Sequence, residues 1–349
     1  MIRVLIVDDS TFFRKLLKDI LIKDEELVVV GEAKNGKEAL RMIPLLKPDL
    51  ITLDIEMPIM DGITTLKHIS KDYRIPVVML SSLTTEGATM TLRALEEGAV
   101  DFIPKPTNIF SISEEDLRIE ILSKIKTAAK CNLSSKPFMF QHKKAISPKK
   151  LSPIAKDSNF EYIVAIGTST GGPRALQEVI PILPQNINGS ILIVQHMPPK
   201  FTKSLADRLN SLSEVYVKEG EEGDKLNRGW CYIAPGDYHM RVVKDGKDYV
   251  IKLDKEERVK GLRPSVDVLM ESVANLEGIN KVGVIMTGMG SDGSDGIIKM
   301  KKSNSYTLAQ DEESSTVFGM PKAAIKTNCI DKVISLSQIA NEITRIVGV

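Results

Sequence analysis

One stretch of the chain, Tyr162–Leu183, limits the possible folds more than any other, and its sequence is YIVAIGTSTGGPRALQEVIPIL. Its first five residues are apolar and largely β-branched, which predicts a buried strand. Pro173 then opens an amphipathic helical pattern, and proline is favoured there because the first helical turn does not need its N–H. Between the two, Gly167–Gly171 matches G-x-S-x-G, the motif that puts a nucleophilic serine on a sharp strand-to-helix turn. The stretch therefore predicts an α/β domain with Ser169 at the carboxyl end of a strand.

Three interpretations of this turn remain open at this point. Ser169 could act as a nucleophile, the N–H groups at the helix start could bind a phosphate, or the small residues could serve packing alone. A dinucleotide site is disfavoured because the glycines do not complete G-x-G-x-x-G. Residues 186–189, where an acidic partner is expected, are Asn-Ile-Asn-Gly.

The first third of the chain alternates five apolar strands with five helical patterns, which predicts a doubly wound parallel sheet. Polar residues follow these strands: Asp8 and Asp9 the first, Asp54 the third, Ser81 the fourth and Lys105 the fifth. Ligands of such sheets bind at the carboxyl ends of the strands, so we expect these side chains to share one crevice. Three carboxylates there repel one another unless a cation intervenes, and an all-oxygen ligand set favours Mg²⁺. A carboxylate beside a lysine and a hydroxyl is also suited to form an aspartyl phosphate.

The periodicity fades between Cys131 and Ser158, where six lysines stand against one acidic residue. Long unstructured connections are uncommon inside a compact domain, so this stretch predicts a solvated linker. A length of 349 residues also suits about two domains. We expect a first domain over residues 1–126, a linker over 127–158 and a second domain over 159–349.

Composition excludes several classes of protein. The net charge of +1 gives no bulk field that would attract nucleic acid or a membrane surface. No apolar run approaches the roughly 20 residues that span a bilayer, and the N-terminal residues lack the features of a signal peptide. The three cysteines are odd in number and widely separated, which excludes a zinc pattern and fits reduced thiols. We expect a cytoplasmic monomer that neither binds nucleic acid nor inserts into a membrane.

The segment after the linker predicts a second α/β domain with a mostly parallel sheet and an antiparallel edge. Its pattern predicts a hairpin with strands at His239–Val243 and Tyr249–Leu253. It also predicts a helix over Arg263–Asn275 and another that begins at about Gly296.

A nucleophilic Ser169 needs a base, and the chain has four histidines. His68 belongs to the first domain and His142 to the linker, so neither is a candidate. His196 directly follows an apolar strand and is expected at the same sheet edge as Ser169. His239 starts the hairpin and is expected to be a surface or wall residue, so His196 is the favoured base.

The base in turn needs a carboxylate that orients its ring. Asp292 comes just past another strand end, in a second glycine-rich turn, whereas Asp295 lies a turn into the following helix. The order Ser169, His196, Asp292 differs from the Ser-Asp-His order of α/β-hydrolases. Because a triad is defined by its geometry, this difference argues only against that fold.

Motifs follow the strands of the first domain: Val7-Asp8-Asp9-Ser10, Leu53-Asp54-Ile55-Glu56-Met57-Pro58 with Asp61-Gly62, Ser81-Ser82 and Lys105-Pro106. Together they resemble the receiver domain of two-component response regulators. The resemblance implies that Asp54 accepts a phosphoryl group from a histidine kinase. It implies Mg²⁺ ligands at Asp8, Asp9, Asp54 and the Glu56 backbone carbonyl, with phosphoryl contacts from Ser81 and Lys105.

A second group of motifs lies after the linker: Ile166-Gly167-Thr168-Ser169-Thr170-Gly171-Gly172, Gln195-His196-Met197-Pro198, Ala234-Pro235-Gly236-Asp237, Arg263-Pro264-Ser265-Val266-Asp267, Thr287-Gly288-Met289-Gly290-x-Asp292-Gly293 and Phe318-Gly319-Met320-Pro321. These resemble the catalytic domain of the chemotaxis methylesterase CheB family, so the two resemblances together cover nearly the whole chain. The family often has alanine where this chain has Thr168, a difference that we expect to be tolerated.

The second resemblance implies hydrolysis of glutamate γ-methyl esters on chemoreceptors, with deamidation of selected receptor glutamines and activation by phosphorylation of the receiver. No cofactor is expected for the esterase. Backbone N–H groups near Thr170 and Met289 are expected to stabilise the oxyanion. An alternative of a different class is a non-catalytic binding module that phosphorylation switches on, with the same receiver chemistry but no turnover.

Overall fold

A computed structural model describes residues 1–106, 114–131 and 159–349. The chain divides into two compact units, Met1–Phe138 and Met139–Val349, and each is described by itself. Within the described residues, no helix is both long enough and apolar enough to cross a bilayer.

The first unit alternates five strands with five helices. They are β1 (Ile2–Val7), α1 (Thr11–Leu21), β2 (Leu27–Ala33), α2 (Gly36–Leu46), β3 (Leu50–Asp54), α3 (Gly62–Asp72), β4 (Val77–Ser82), α4 (Thr85–Glu96), β5 (Asp101–Lys105) and α5 (Glu114–Ala129). The sheet order is β2-β1-β3-β4-β5, and every pair of neighbours is parallel. The predicted doubly wound sheet is therefore confirmed.

Local sequence explains why the helices start where they do. Ser10, Asp61 and Thr84 each accept a backbone N–H of the first helical turn, at 3.3, 2.7 and 2.9 Å. Such caps satisfy donors that have no partner inside the helix. The interior strands β1 and β3 are largely apolar and mostly buried, as expected where helices cover both faces of a parallel sheet.

The boundary between the domains falls mostly outside the described residues. α5 runs to Ala129, three residues into the segment predicted as linker. Residues 132–158, and His142 with them, lie outside the part of the chain that the structure describes.

The second unit contains nine strands and six helices among its described residues. They are β6 (Tyr162–Thr168), α6 (Gly172–Val179), β7 (Gly189–Gln195), α7 (Phe201–Leu212), β8 (Tyr216–Glu219), β9 (Trp230–Ile233), β10 (His239–Asp245), β11 (Asp248–Asp254), α8 (Val266–Ala274), β12 (Asn280–Ile285), α9 (Ser294–Lys302), β13 (Tyr306–Gln310), α10 (Met320–Lys326), β14 (Lys332–Ile334) and α11 (Leu336–Val347). Seven strands form one sheet in the order β14-β13-β12-β6-β7-β9-β8. Its pairings are all parallel.

Some expectations for this unit need correction. The antiparallel hairpin β10–β11 is a separate two-stranded sheet rather than an edge of the large one. α8 begins at Val266, not Arg263, because Pro264 disfavours a helical conformation in the residue before it. α9 begins at Ser294, two residues before Gly296.

The main core of the second unit lies between the central strands and the helices α8 and α9. Alternate residues of β6, Ile163 and Ala165, are buried in this cluster together with Leu269 of α8 and Ile297 of α9. The two-residue period of the strand turns the other side chains of β6 to the opposite face. This packing fixes β6, and hence the residue that follows it, at the centre of the sheet.

Candidate active site

Three neighbouring strands end at the candidate active site, with β6 between β12 and β7. The register pairs Thr168 of β6 with Gln195 of β7, so Ser169 and His196 are the next residues on adjacent parallel strands. The His196 N–H donates to the Thr168 carbonyl at 3.2 Å. Asp292 lies in the turn after β12, on the other side of β6. The carboxyl ends of three strands therefore bring the three predicted residues to one edge.

The turn that carries Ser169 is held by the backbone. The Ser169 N–H donates to the Thr287 carbonyl at 3.0 Å, and the Ser169 carbonyl accepts the Gly172 N–H at 2.8 Å. The left-handed residue of the turn is Gly171, with φ of 78°, and Ser169 is absent from the positive-φ residues. The strained serine backbone of the α/β-hydrolase elbow is therefore missing here.

A close approach packs the second glycine-rich turn against the serine. A Cβ added at Gly288 would lie 2.9 Å from the Ser169 Cβ and 2.3 Å from the Met320 Sδ. Any side chain at this position would push the two turns apart, because real Cβ atoms do not approach so closely. The glycine thus sets the distance between the turns after β6 and β12.

The imidazole of His196 contacts the carboxylate of Asp292. Nε2 lies 2.8 Å from Oδ2, and the two side chains are 8% and 1% exposed. Because β6 separates the strands that carry them, this contact crosses the end of the strand that leads to Ser169. With Asp292 ionised, Nε2 carries the proton and donates, so Nδ1 is the nitrogen left for another partner.

The Asp292 carboxylate accepts hydrogen bonds at both oxygens. Oδ1 accepts from the Ser265 hydroxyl at 2.8 Å and the Asp267 N–H at 3.0 Å. Oδ2 accepts from the Val266 N–H at 2.7 Å in addition to His196. Burial by itself would raise the pKa of Asp292, but the contacts with His196 and the two backbone donors outweigh it and hold the pKa well below its usual range. The carboxylate is therefore charged and fixed in direction.

Gln195 is a site residue that the sequence analysis missed. Its Nε2 donates to the carbonyls of Ser169 and His196, at 3.0 and 3.2 Å. Its Oε1 accepts the hydroxyl of Thr168 at 2.5 Å, and the side chain is buried. Gln195 thus ties the end of β6 to the end of β7. The only signal in the sequence is a polar residue that closes an apolar strand.

The expected oxyanion donors lie in the two turns described above. The Ser169 N–H is already bonded to Thr287, so it is not available for this role. Thr170 follows Ser169 and is buried, and its carbonyl accepts the Thr287 hydroxyl at 2.9 Å. Met289 lies between Gly288 and Gly290 in the turn that packs on Ser169.

The other histidine of this unit, His239, does not belong to this cluster. Its side chain is fully buried, so of the two expectations the surface position was wrong. Nε2 lies 3.0 Å from the Glu257 carbonyl, and Nδ1 has no partner among the described atoms.

A second cluster of polar residues lies at the carboxyl edge of the first unit's sheet. Asp8, Asp9 and Asp54 can each offer an oxygen within 4.8 Å of the others. The Lys105 Nζ lies 2.7 Å from Asp8 and 2.8 Å from Asp54. Burial raises the pKa of Asp54 to about 6, with Asp8 and Asp9 adding to the increase while Lys105 opposes it.

These residues fit a hard divalent cation. One lysine, Lys105, stands against three carboxylates and cannot neutralise them all. All the available ligand atoms are oxygens, which Mg²⁺ prefers.

One predicted member of this site lies apart from the cluster. The Ser81 hydroxyl is buried and bonds to Thr91 at 2.5 Å and to the Gly87 carbonyl at 3.3 Å, so it faces α4. Glu56 follows Asp54 by two residues with an exposed side chain, and the role of its backbone carbonyl stays a prediction.

Arg14 is a second residue that the sequence analysis missed. It is buried in α1, and its guanidinium donates to the carbonyls of Asp8 and Asp9 at 2.7 and 3.0 Å. It thereby fixes the backbone of the two acids that follow β1. A basic residue one helical turn past an acidic pair is the signal that could have found it.

Two family models match the chain. The model described as CheB methylesterase matches residues 164–343, and the model described as response regulator receiver domain matches residues 4–115. A protein-glutamate methylesterase/protein-glutamine glutaminase from Pyrococcus abyssi is 48% identical over 346 residues, covering 99% of this chain and 94% of that protein. A protein of the same name from Bacillus subtilis is 44% identical over 350 residues, covering 99% and 98%.

One solved structure resembles the second unit. The crystal structure of the Thermotoga maritima CheB methylesterase catalytic domain is 42% identical in sequence, with a TM-score of 0.52. The similarity covers 54% of this chain and 99% of that one.

Proposed function

The chain belongs to the CheB methylesterase family, and we propose on that premise that it hydrolyses glutamate γ-methyl esters of chemoreceptors under the control of its own phosphorylation. Its relatives carry both methylesterase and glutaminase in their names, so the same site is proposed to deamidate receptor glutamines. The observation that carries the proposal is the 2.8 Å contact between His196 and Asp292 across the end of the strand that leads to Ser169.

In the proposed reaction, Ser169 is the nucleophile, His196 the base and Asp292 the orienting acid. Nε2 of His196 is engaged with Asp292, so Nδ1 takes the proton of the Ser169 hydroxyl as its oxygen attacks the ester carbonyl. The C–O bond to methoxide breaks, and the imidazolium returns the proton so that methanol leaves. Water then attacks the acyl-enzyme by the same route and releases glutamate. With a glutamine substrate, ammonia leaves in place of methanol.

Backbone N–H groups at Thr170 and Met289 are proposed to bind the oxyanion. The support for this choice is position, since one residue follows Ser169 and the other lies in the turn that packs against it. Each such donor lowers the barrier by about 3 kcal/mol.

The first unit is proposed to supply the control. Asp54 attacks the phosphorus of a phosphohistidine on the partner kinase, the P–N bond breaks and an aspartyl phosphate forms. Asp8, Asp9, Asp54 and the Glu56 carbonyl would hold Mg²⁺, which supplies positive charge against the transferring phosphoryl oxygens. Lys105 contacts the same group, and Ser81 reaches it after its hydroxyl leaves Thr91.

The remaining expectations follow from the same assignment. A monomer that works in the cytoplasm, with an esterase site that needs no cofactor, remains part of the proposal.

The test is methanol release from a methylated chemoreceptor, with and without a small-molecule phosphodonor. We expect release by the full chain, a faster rate with the phosphodonor, and no increase in the variant Asp54→Asn. Ser169→Ala should abolish release, whereas Ser291→Ala, which removes an exposed hydroxyl from the neighbouring turn, should not.

Two results would contradict the proposal. Full activity of Ser169→Ala would remove the nucleophile assignment. Phosphorylation of Asp54 without any turnover of methylated receptor would favour the non-catalytic binding module instead.

A further inference from the structure

The starts of α8 and α9, beside the candidate active site, are each capped by a carboxylate from the other segment. Asp292, which lies just before α9, accepts the N–H groups of Val266 and Asp267 at the start of α8. In return, Asp267 of α8 accepts the N–H groups of Gly293 and Gly296 at the start of α9, both at 2.8 Å and both with Oδ1. Each carboxylate satisfies donors that the other helix cannot pair internally. The two helix starts are therefore locked together by two acids.

The cap from Asp267 acts directly on the backbone of Asp292. The Gly293 N–H belongs to the peptide bond that joins Asp292 to Gly293, so its bond to Asp267 fixes that peptide. Gly293 has φ of 95°, and a Cβ there would lie 2.5 Å from the Ile285 side chain. The turn is thus tightly packed and has few other conformations once Asp267 holds it.

Lys260 offsets the negative charge of Asp267, which lies close to Asp292. Its Nζ lies 2.8 Å from Oδ2 of Asp267 and 2.8 Å from Oδ2 of Asp295. Burial and the nearby charge of Asp292 raise the pKa of Asp267, and Lys260 opposes that rise. The lysine thereby keeps Asp267 in the form whose Oδ1 accepts two backbone donors.

We propose that Asp267 is a positioning residue for ester hydrolysis, which fixes the turn after β12 and so aims Asp292 at His196. The proposal rests on the function proposed above. Asp267 contacts neither His196 nor Ser169 in the described structure, so it acts only through Asp292. Its loss is expected to lower kcat and leave KM unchanged, because the substrate does not touch it.

The first experiment compares variants of the full chain in the methanol-release assay. Asp267→Ala should lower kcat by about 10- to 100-fold, because a small misplacement of a catalytic group costs that much. Asp295→Ala is the matched control, since the Asp295 side chain shares the Lys260 partner at the same distance but, among the described residues, does not accept from the Gly293 N–H. Asp267→Asn keeps an oxygen for both backbone donors and should recover most of the activity.

The second experiment observes the contact between Asp292 and His196 directly. The ring proton on Nε2 of His196 is expected as a low-field line in the proton NMR spectrum, assigned by its loss in His196→Gln. Asp267→Ala should shift or broaden that line, and Asp295→Ala should leave it in place. A residue that merely supports the fold would lower the active fraction without moving the line.

Each outcome decides the proposal. Wild-type activity of Asp267→Ala, or lost activity with an unchanged His196 line, overturns it. If Asp267→Ala does not fold, Asp267→Glu carries the same test, because it keeps the ion pair with Lys260 but displaces the acceptor from Gly293. No methanol release by the unsubstituted chain would instead overturn the proposed function, whereas an inactive Asp292→Ala beside a fully active Asp267→Ala overturns only the positioning role.

Discussion

Replacing Asp292 with asparagine tests the site most sharply, because the shape of the side chain stays while its charge and one acceptor are lost. The wild-type carboxylate accepts two hydrogen bonds at each oxygen. The new NH₂ group can only donate, so in either orientation it meets groups that also donate. The consequences differ between the two orientations.

With the NH₂ group at the position of Oδ1, the Ser265 hydroxyl can rotate and accept, and only the Asp267 N–H is left unpaired. With the NH₂ group at the position of Oδ2, the Val266 N–H is unpaired and His196 must accept at Nε2. That change moves the imidazole proton to Nδ1 and removes the base. The first orientation is therefore favoured, at a cost of about 1–3 kcal/mol in the free energy of unfolding for one buried donor.

The effect on the reaction is larger than the effect on stability. In the favoured orientation the ring stays in place, but the carboxylate that stabilises the imidazolium is gone. A loss of about 10³- to 10⁴-fold in kcat is expected, which corresponds to about 4–5.5 kcal/mol in the barrier. The exposed Asp295, three residues further on, gives the control Asp295→Asn.

The assay is the initial rate of methanol release from methylated receptor, with urea denaturation of the same preparations. A variant that keeps its fold and loses less than about tenfold in kcat would refute the role of Asp292, since a triad acid contributes far more. An equal loss in Asp295→Asn would point to a general disturbance of α9 instead.

Three further predictions address residues outside the proposed triad. Gln195→Leu removes the side-chain donor to the Ser169 and His196 carbonyls and the acceptor of the Thr168 hydroxyl, so urea denaturation should show a loss of about 2–4 kcal/mol and methanol release should fall. Gln338→Leu on the exposed face of α11 should change neither. Glu342→Gln should lower the free energy of unfolding by about 1–2 kcal/mol at neutral pH, because Arg345 first and Lys332 second lower the pKa of the buried Glu342 to about 2. A lowered pKa stabilises the fold above the unfolded value of 4.5, so the difference in unfolding free energy between variant and wild type should shrink as the pH falls from about 5 toward 2. A difference that stays constant with pH would contradict the ion-pair explanation. Arg14→Lys keeps the charge but loses the planar guanidinium that donates to the carbonyls of both Asp8 and Asp9. Calorimetric titration should therefore show Mg²⁺ affinity weakened about tenfold, because the two acids are less well fixed. Unchanged affinity would mean that the turn after β1 keeps its conformation without Arg14.

The sequence predicted the location of the sites because both sheets are parallel. Ser169, His196 and Asp54 each follow an apolar run, and parallel strands bring such positions to a common edge. That inference needs only the strands and their direction, both of which short apolar runs indicate well. Of the residues named from strand ends, His196 and Asp292 lie in contact in the second unit, and Asp8, Asp9, Asp54 and Lys105 lie together in the first.

Contacts that depend on side-chain direction could not be predicted in the same way. Gln195 braces two strand ends only because its register partner is Thr168, and no local pattern reports the register. The Ser81 hydroxyl follows the correct strand, yet it faces Thr91 of α4 instead of Asp54. The exchange of caps between Asp267 and the Gly293 turn joins segments whose proximity arises only after the sheet has formed.

The position of β6 between β12 and β7 has a consequence for how the enzyme comes into being. A nascent chain that has left the ribosome as far as β7 already carries the hydroxyl and the imidazole, but the acid that aligns them is encoded 96 residues later. The proposed triad is therefore complete only after the chain has been made through Asp292 and β12 has paired with β6. Products of interrupted synthesis that end before Asp292 would lack the proposed acid.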